Sequence, residues 1–297
     1  MNKLVVITGT TACGKSDLAV ELAKRFGAEV ISADSRQVFR GLDLGSGKIT
    51  TEEMQGIPHH LLDVAEPGEY FSLSDFQKLA YKAIDGVFER GGRPFLVGGT
   101  GLYINAVVDG YNLHESRPDP RLRREVEEKS LEELIGVLRE KDPGALERVD
   151  IRNKRRVERA VEKALAGRTG EKLSEPRYES LVLGVTFDRA VVYERIEVRL
   201  DRRLEQGMID EVKDLRASGV SDEFLYKLGL EYRYILMYLR GEFDSFEAFR
   251  DKLFMEIRHL AKEQMTWFRK RSDIHWLDMN ADPISEATGL IEEFYGA

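Results

Sequence analysis

Gly9-Thr10-Thr11-Ala12-Cys13-Gly14-Lys15-Ser16 is the stretch that decides how this chain folds. It fits the phosphate-loop pattern, a glycine, four free positions, then Gly-Lys-Ser/Thr. The apolar run Leu4-Val5-Val6-Ile7-Thr8 before it reads as a buried parallel strand. After it, Leu18, Ala19, Leu22, Ala23 and Phe26 recur at helical spacing, and Gly27 stops the helix. Strand, glycine loop and helix are the context such a loop requires, because backbone N–H groups and the helix N-terminus then face an anion. Lys15 adds a point charge for phosphate oxygens, and the Ser16 hydroxyl is a candidate ligand for Mg²⁺. The pattern announces a di- or triphosphate without saying what is done with it; an ordinary glycine-rich turn is the alternative.

Outward from the loop, Glu29-Val30-Ile31-Ser32-Ala33 reads as a second strand ending at Asp34. Residues 35–48 are too glycine-rich for one regular element. Pro58-His59-His60-Leu61-Leu62-Asp63 follows, then a helix with Ser74 as its expected N-cap. Phe76, Leu79, Ala80, Ala83, Ile84, Val87 and Phe88 form its apolar face, and Gly91 closes it. Pro94-Phe95-Leu96-Val97 is a short buried strand running into Gly98-Gly99-Thr100-Gly101-Leu102-Tyr103. Alternating strands and helices imply an α/β fold with a parallel sheet flanked by helices. Ligands bind such sheets beyond the carboxyl ends of the strands. The phosphate loop, Asp34 and Gly98–Thr100 are therefore expected on one edge. Asp34 also reads as a cap or an outer partner of Mg²⁺, Gly98-Gly99-Thr100 as a tight turn, and His59 and His60 as loop or core histidines rather than metal ligands.

Beyond Asp109 the texture changes. Residues 115–178 read as helical and charged, with turn marks at Pro118, Pro120, Pro143 and Gly144. In the stretch from Asn153 to Gly167, Val157, Ala160, Val161, Ala164 and Leu165 make a buried stripe while Arg155, Arg156 and Arg159 project elsewhere. This is the pattern of a helical subdomain, 115–178, inserted into a core made of 1–114 and 179–297. Between Arg117 and Arg177 there are 17 Lys/Arg and 14 Asp/Glu, a net of +3 in a chain whose total is −8. A basic segment in an acidic protein suits a directed polyanion contact, and equally suits salt-bridged helix faces. Leu181-Val182-Leu183-Gly184-Val185-Thr186-Phe187 resumes the sheet, and Asp188 is expected to cap one long helix over 189–218, stopped by Gly219. Helices over 230–240 and 245–271 follow, and Ile274-His275-Trp276-Leu277 is a closing strand.

A length of 297 residues allows one or two domains. With 42% hydrophobic and 33% charged residues the chain reads as soluble and globular. Its apolar runs are too short to span a bilayer or serve as a signal peptide, so no membrane contact and a cytoplasmic location are expected. The single cysteine, Cys13, excludes an internal disulfide framework and a cysteine-cluster zinc site, and reads as a small loop residue.

Taken together, the blocks resemble the tRNA dimethylallyltransferase family, also called tRNA isopentenyltransferases, over most of the chain. The likeness rests on the phosphate loop, Asp34-Ser35-Arg36-Gln37 with Arg40-Gly41-Leu42-Asp43, Pro58-His59-His60-Leu61-Leu62-Asp63, and Gly98-Gly99-Thr100-Gly101-Leu102-Tyr103. It continues through Arg155-Arg156-Val157-Glu158-Arg159-Ala160, the Arg199…Gly207…Glu211-Val212 helix and Gln264-Met265-Thr266-Trp267-Phe268. The family loop commonly reads Gly-Pro-Thr-Ala-Ser-Gly-Lys-Thr, so Thr10, Cys13 and Ser16 depart from it; the common Gly-Tyr-Lys-Glu block appears as Gly229-Leu230-Glu231-Tyr232.

The resemblance implies a phosphate-loop NTPase-like core with an inserted helical tRNA-binding subdomain. It implies transfer of a dimethylallyl group from dimethylallyl diphosphate to N6 of the adenosine 3′ of the tRNA anticodon. Asp34 would be the base, with Lys15, Thr100 and Arg199 beside it. Gly9, Thr10, Thr11, Ala12, Cys13, Gly14, Lys15 and Ser16 would hold the diphosphate, with Mg²⁺ on Ser16. Asp34, Ser35, Arg36, Gln37, Thr100, Arg123, Arg155, Arg156, Val157, Glu158 and Arg159 would lie along the tRNA anticodon stem-loop, and the enzyme would act as a monomer. Two other classes fit a phosphate loop: a small-metabolite kinase using Asp34 on a hydroxyl, and a tRNA-binding protein switched by nucleotide. An isopentenyltransferase acting on free adenylate shares the chemistry, but the basic helical insert favours a polymeric acceptor.

Overall fold

The computed structural model describes residues 1–113, 119–167 and 174–296; the expected turn mark Pro118 lies outside them. Backbone packing separates two compact units, Met1–Tyr111 with Pro176–Ala297, and Asn112–Glu175.

The first unit is built on a six-stranded sheet: β1 (Lys3–Gly9), β2 (Ala28–Ser32), β3 (His59–His60), β4 (Arg93–Gly98), β5 (Glu179–Thr186) and β6 (Ile274–Asp278). Their order is β3-β2-β4-β1-β5-β6, and every pairing is parallel. The helices of this unit are α1 (Lys15–Phe26), α2 (Thr51–Met54), α3 (Leu73–Glu89) and α4 (Gly101–Val108), then α9 (Arg189–Glu205), α10 (Met208–Ala217), α11 (Asp222–Leu228), α12 (Leu230–Leu239), α13 (Phe246–Phe268) and α14 (Pro283–Tyr295). The second unit holds α5 (Pro120–Glu127), α6 (Leu131–Lys141), α7 (Ala145–Arg148) and α8 (Lys154–Leu165).

The unbroken apolar run of β1 follows from burial on both faces. Leu4 and Val6 pack with Phe76, Ile84 and Ile104 from α3 and α4. Val5 and Ile7 point the other way, onto Leu18 and Leu22 of α1 and Ile291 of α14. With β4 on one side and β5 on the other, β1 ends in the middle of the sheet edge, and the phosphate loop leaves from there. A third apolar cluster joins Val38 and Leu42 to Ile196, Leu200, Tyr232, Phe249 and Leu253.

Five expectations change. Ser72, not Ser74, caps α3: its hydroxyl accepts from the Asp75 N–H while the Asp75 carboxylate accepts from the Ser72 N–H, satisfying two helix-end donors at once. The expected long helix over 189–218 is two helices, broken where Gly207 takes φ 98°, and the Asp188 side chain makes no capping bond to α9. Tyr178, expected in the insert, belongs to the core: it is buried, its ring stands edge-on to Tyr81, and its hydroxyl donates to Asp85 at 2.8 Å. Leu165, the last residue of α8, is exposed, whereas Val157, Val161 and Ala164 are buried with Val126, Leu134 and Leu138. Among the described residues no helix is long and apolar enough to cross a membrane.

Candidate active site

The phosphate loop turns through residues that must leave the ordinary backbone regions. Gly14 precedes α1 in the left-handed region, φ 82°, which a glycine adopts without strain. Gly9 is fixed by proximity instead: a Cβ there would lie 2.7 Å from both the Val185 carbonyl and the Cys13 sulfur. Cys13 is fully buried in the α1 side of the core, so its role is packing. Three long side chains brace the loop. Lys15 Nζ donates to the Thr10 carbonyl at 3.2 Å, Arg195 Nε to the Ala12 carbonyl at 2.8 Å, and Gln264 Oε1 accepts from the Thr11 N–H at 2.8 Å.

Asp34 stands just past β2, in line with the phosphate loop past β1. Its Oδ1 accepts from the Arg36 N–H at 2.9 Å and from the Gln37 N–H at 3.3 Å, so the carboxylate caps a turn, not a helix. Past β4, Thr100 precedes α4 without a side-chain capping bond to it; its hydroxyl instead accepts from the Ser35 N–H at 3.1 Å. The glycines around Thr100 are required by close neighbours. A Cβ would lie 2.2 Å from the Ala33 carbonyl at Gly98, 2.8 Å from Gln264 Nε2 at Gly99, and 2.3 Å from Trp267 Cδ1 at Gly101.

These strand ends open on one cavity of about 350 Å³, lined by Thr11, Asp34 and Thr100 from the strand-end loops, Lys15 and Ser16 from the start of α1, Arg199 and Arg203 from α9, and Gln264 from α13. Arg199 and Arg203 are one helical turn apart and converge on Gly47, where a Cβ would lie 2.0 Å and 1.7 Å from their respective Nη2 atoms. Desolvation pulls the pKa of Arg199 below the ordinary arginine value, while the charges of Glu231 and Asp34 act in the opposite sense. Arg36 donates to Glu231 at 2.9 Å, and the carboxylate of that pair is buried. The loop carrying Gly47 is itself held: Glu211 accepts from the N–H groups of Asp43, Leu44 and Gly45 and from the Tyr232 hydroxyl. Gln37 donates to the Gly47 carbonyl at 3.1 Å. His59 also lines the cavity; its Nδ1 lies 2.8 Å from the Ile57 carbonyl, and burial lowers its pKa.

Thus Thr11, Lys15, Ser16, Asp34, Ser35, Arg36, Gln37, Thr100 and Arg199 share one cavity, while Thr10, Ala12 and Cys13 are buried behind the loop surface. The remaining expected RNA contacts lie in the helical unit. There Arg155 and Arg156 are exposed, and Arg123 and Arg159 both meet Glu162. Glu158 pairs with Lys154. Val157 is fully buried in the core of that unit, which assigns its side chain to packing rather than to RNA. Arg203, Glu231 and Gln264 line the same cavity and are not among the site residues expected from the sequence. The first could have been found from its spacing, four residues after Arg199; the other two lie in blocks already singled out.

The site can hold an anion in a partly desolvated cradle with a carboxylate nearby. The IPP transferase family model matches residues 37–271, and the isopentenyl transferase model matches 2–66. The chain belongs to the IPP transferase family. It is 43% identical over 293 residues to tRNA dimethylallyltransferase 2 of Citrifermentans bemidjiense, covering 97% of this chain and 94% of that relative. The full-length tRNA isopentenylpyrophosphate transferase of Bacillus halodurans is similar in structure, with a TM-score of 0.76, 41% identity, and coverage of 99% of this chain and 97% of that one. The corresponding transferase of Staphylococcus epidermidis gives 0.73, 33%, and 99% of each chain. As an IPP transferase, the chain has the parallel, helix-flanked sheet its sequence announced, with His59–His60 as a sixth strand beyond the five expected.

Proposed function

We propose that this IPP transferase moves the dimethylallyl group of dimethylallyl diphosphate to N6 of the adenosine 3′ of the tRNA anticodon. The observation that carries the reading is that Lys15 and Ser16 at the start of α1, Asp34 past β2 and Arg199 of α9 line one cavity. In the reaction the bond between prenyl C1 and the bridging oxygen breaks and a C1–N6 bond forms. Diphosphate leaves with the electron pair, and the N6 proton passes to Asp34. The exocyclic amine is a poor nucleophile because its lone pair is delocalised into the ring, so removing the proton as the new bond forms gives Asp34 its task. Charge building on the leaving oxygen meets Lys15, Arg199, Arg203 and the phosphate-loop N–H groups, which are fixed before the reaction begins. The adenine must leave its stack to reach this cavity. Ser35, Arg36, Gln37 and Thr100 are read as its surroundings, and Arg123, Arg155, Arg156 and Arg159 as contacts further along the RNA.

The residues present suit Mg²⁺. Ser16 offers a hard oxygen at the cavity surface, and a bound diphosphate would supply further oxygens to the ion. Bound there, it would neutralise charge on the leaving group. A tRNA acceptor makes the cytoplasm the working compartment, and one chain supplies every group named, so a monomer suffices. The test is to incubate the protein with unmodified tRNA and dimethylallyl diphosphate and seek isopentenyladenosine by nucleoside mass spectrometry. Label moving instead from ATP to a small molecule would replace this reading with a kinase.

A further inference from the structure

We infer that Gln264 is a positioning residue that locks the phosphate loop to the loop beside Asp34, so that the donor cradle and the acceptor site are set as one piece. Gln264 projects from the last turns of α13 and spends both ends of its amide. Oε1 accepts from the Thr11 N–H at 2.8 Å, and Nε2 donates to the Gly99 carbonyl at 3.0 Å. The next residue, Thr100, accepts from the Ser35 N–H, and Ser35 adjoins Asp34. One side chain therefore closes a path from the phosphate loop to the carboxylate. Gly99 is shaped for it: a Cβ there would sit 2.8 Å from Gln264 Nε2, with its other close neighbours at ordinary contact distances of 3.4 and 3.6 Å. The backbone of Gly99 lies outside the left-handed region, so what an alanine there must displace is the Gln264 amide, with no backbone strain to overcome. The same helix presents Trp267 against Gly101, a second close fit to this loop.

The turnover readout rests on the proposed prenyl transfer; a binding readout does not. Misplacing reacting groups by about 1 Å costs on the order of 100-fold in rate. Gln264→Ala and Gly99→Ala are each expected to lower kcat about 10- to 100-fold with KM for tRNA changed less than about threefold. Because both remove one contact, the double variant should be no slower than the slower single variant. Gln264→Glu keeps the shape but sets an acceptor against the Gly99 carbonyl and a negative charge beside the cradle. It should weaken inorganic pyrophosphate binding, measured by calorimetry, by about tenfold relative to wild type. The inference is overturned if the single variants turn over within about twofold of wild type, if their losses add, or if Gln264→Glu binds pyrophosphate like wild type. If pyrophosphate binding responds as stated and wild type prenylates no tRNA, the lock stands and the proposed reaction falls.

Discussion

The cavity of the core and the exposed face of α8 both carry arginine, and they hold it in opposite ways. In the cavity the cations and their partners are fixed: Lys15 donates to a loop carbonyl, Arg36 to the buried Glu231, and Arg199 is partly stripped of water. On α8, Arg155 and Arg156 stand in solvent. Charge in a desolvated, preorganised site acts strongly on a developing charge nearby. Solvated charge acts weakly per contact, and gains from a polyanion chiefly by releasing its counterions. Under the proposed function the difference amounts to a division of labour, the core taking one small, highly charged group and the insert an extended backbone.

The largest effect tests the core side. Asp34→Asn should lower kcat by about 100- to 10,000-fold while tRNA affinity, by filter binding, stays within about threefold. Normal turnover would remove Asp34 from the role of base. Arg199→Ala comes next, lowering kcat/KM for dimethylallyl diphosphate by about 100-fold. Arg203→Ala should follow it in the same direction, since the two guanidinium groups converge on one point. On the insert side, reversing Arg155 and Arg156 to Glu should weaken tRNA binding about tenfold at moderate salt and make the salt dependence shallower, with kcat at saturating tRNA unchanged. A large kcat loss from that pair, or an unchanged affinity, would break the division. Arg159→Glu should weaken binding less than reversal of either neighbour, because Arg159 is already engaged with Glu162.

How much was readable in advance follows a different line, between local periodic signals and contacts made across the chain. The strand runs, the phosphate loop and Asp34 were legible because burial on both faces and the strand-end rule are local, periodic signals. The break at Gly207 was not, since a single glycine within a helical pattern does not reveal its φ. Ser72 was missed because Ser74 stands nearer the apolar face, and the cap depends on which serine meets the carboxylate of Asp75. Glu231 and Gln264 were visible as parts of blocks, but their work lies in contacts across 195 and 165 residues of sequence, to Arg36 and Gly99. Spacing along the chain carries no record of such pairs. Val157 shows the reverse: its place in an arginine-rich block suggested RNA, whereas the helical period already put it in the core.

The smallest effect reads desolvation in the core through pH. Burial lowers the His59 pKa from 6.5, opposed in part by its backbone hydrogen bond. The unfolded chain therefore binds more protons than the native one as pH falls through about 6.5, and stability declines in that window. Glu29 acts lower on the scale. Burial pushes its carboxyl up, but hydrogen bonds from His60 and Arg90 outweigh that and hold it below 4.5, so its contribution is present above about 4.5 and is lost as pH falls through its native value. Two acid losses should thus separate in a series of thermal melts, the first beginning near pH 6.5 and the second below about 4.5. His59→Gln should flatten the first and leave the second, whereas Arg90→Ala should do the reverse. A single acid slope that neither variant moves would mean that the cavity around His59 is as wet as the surface of the insert.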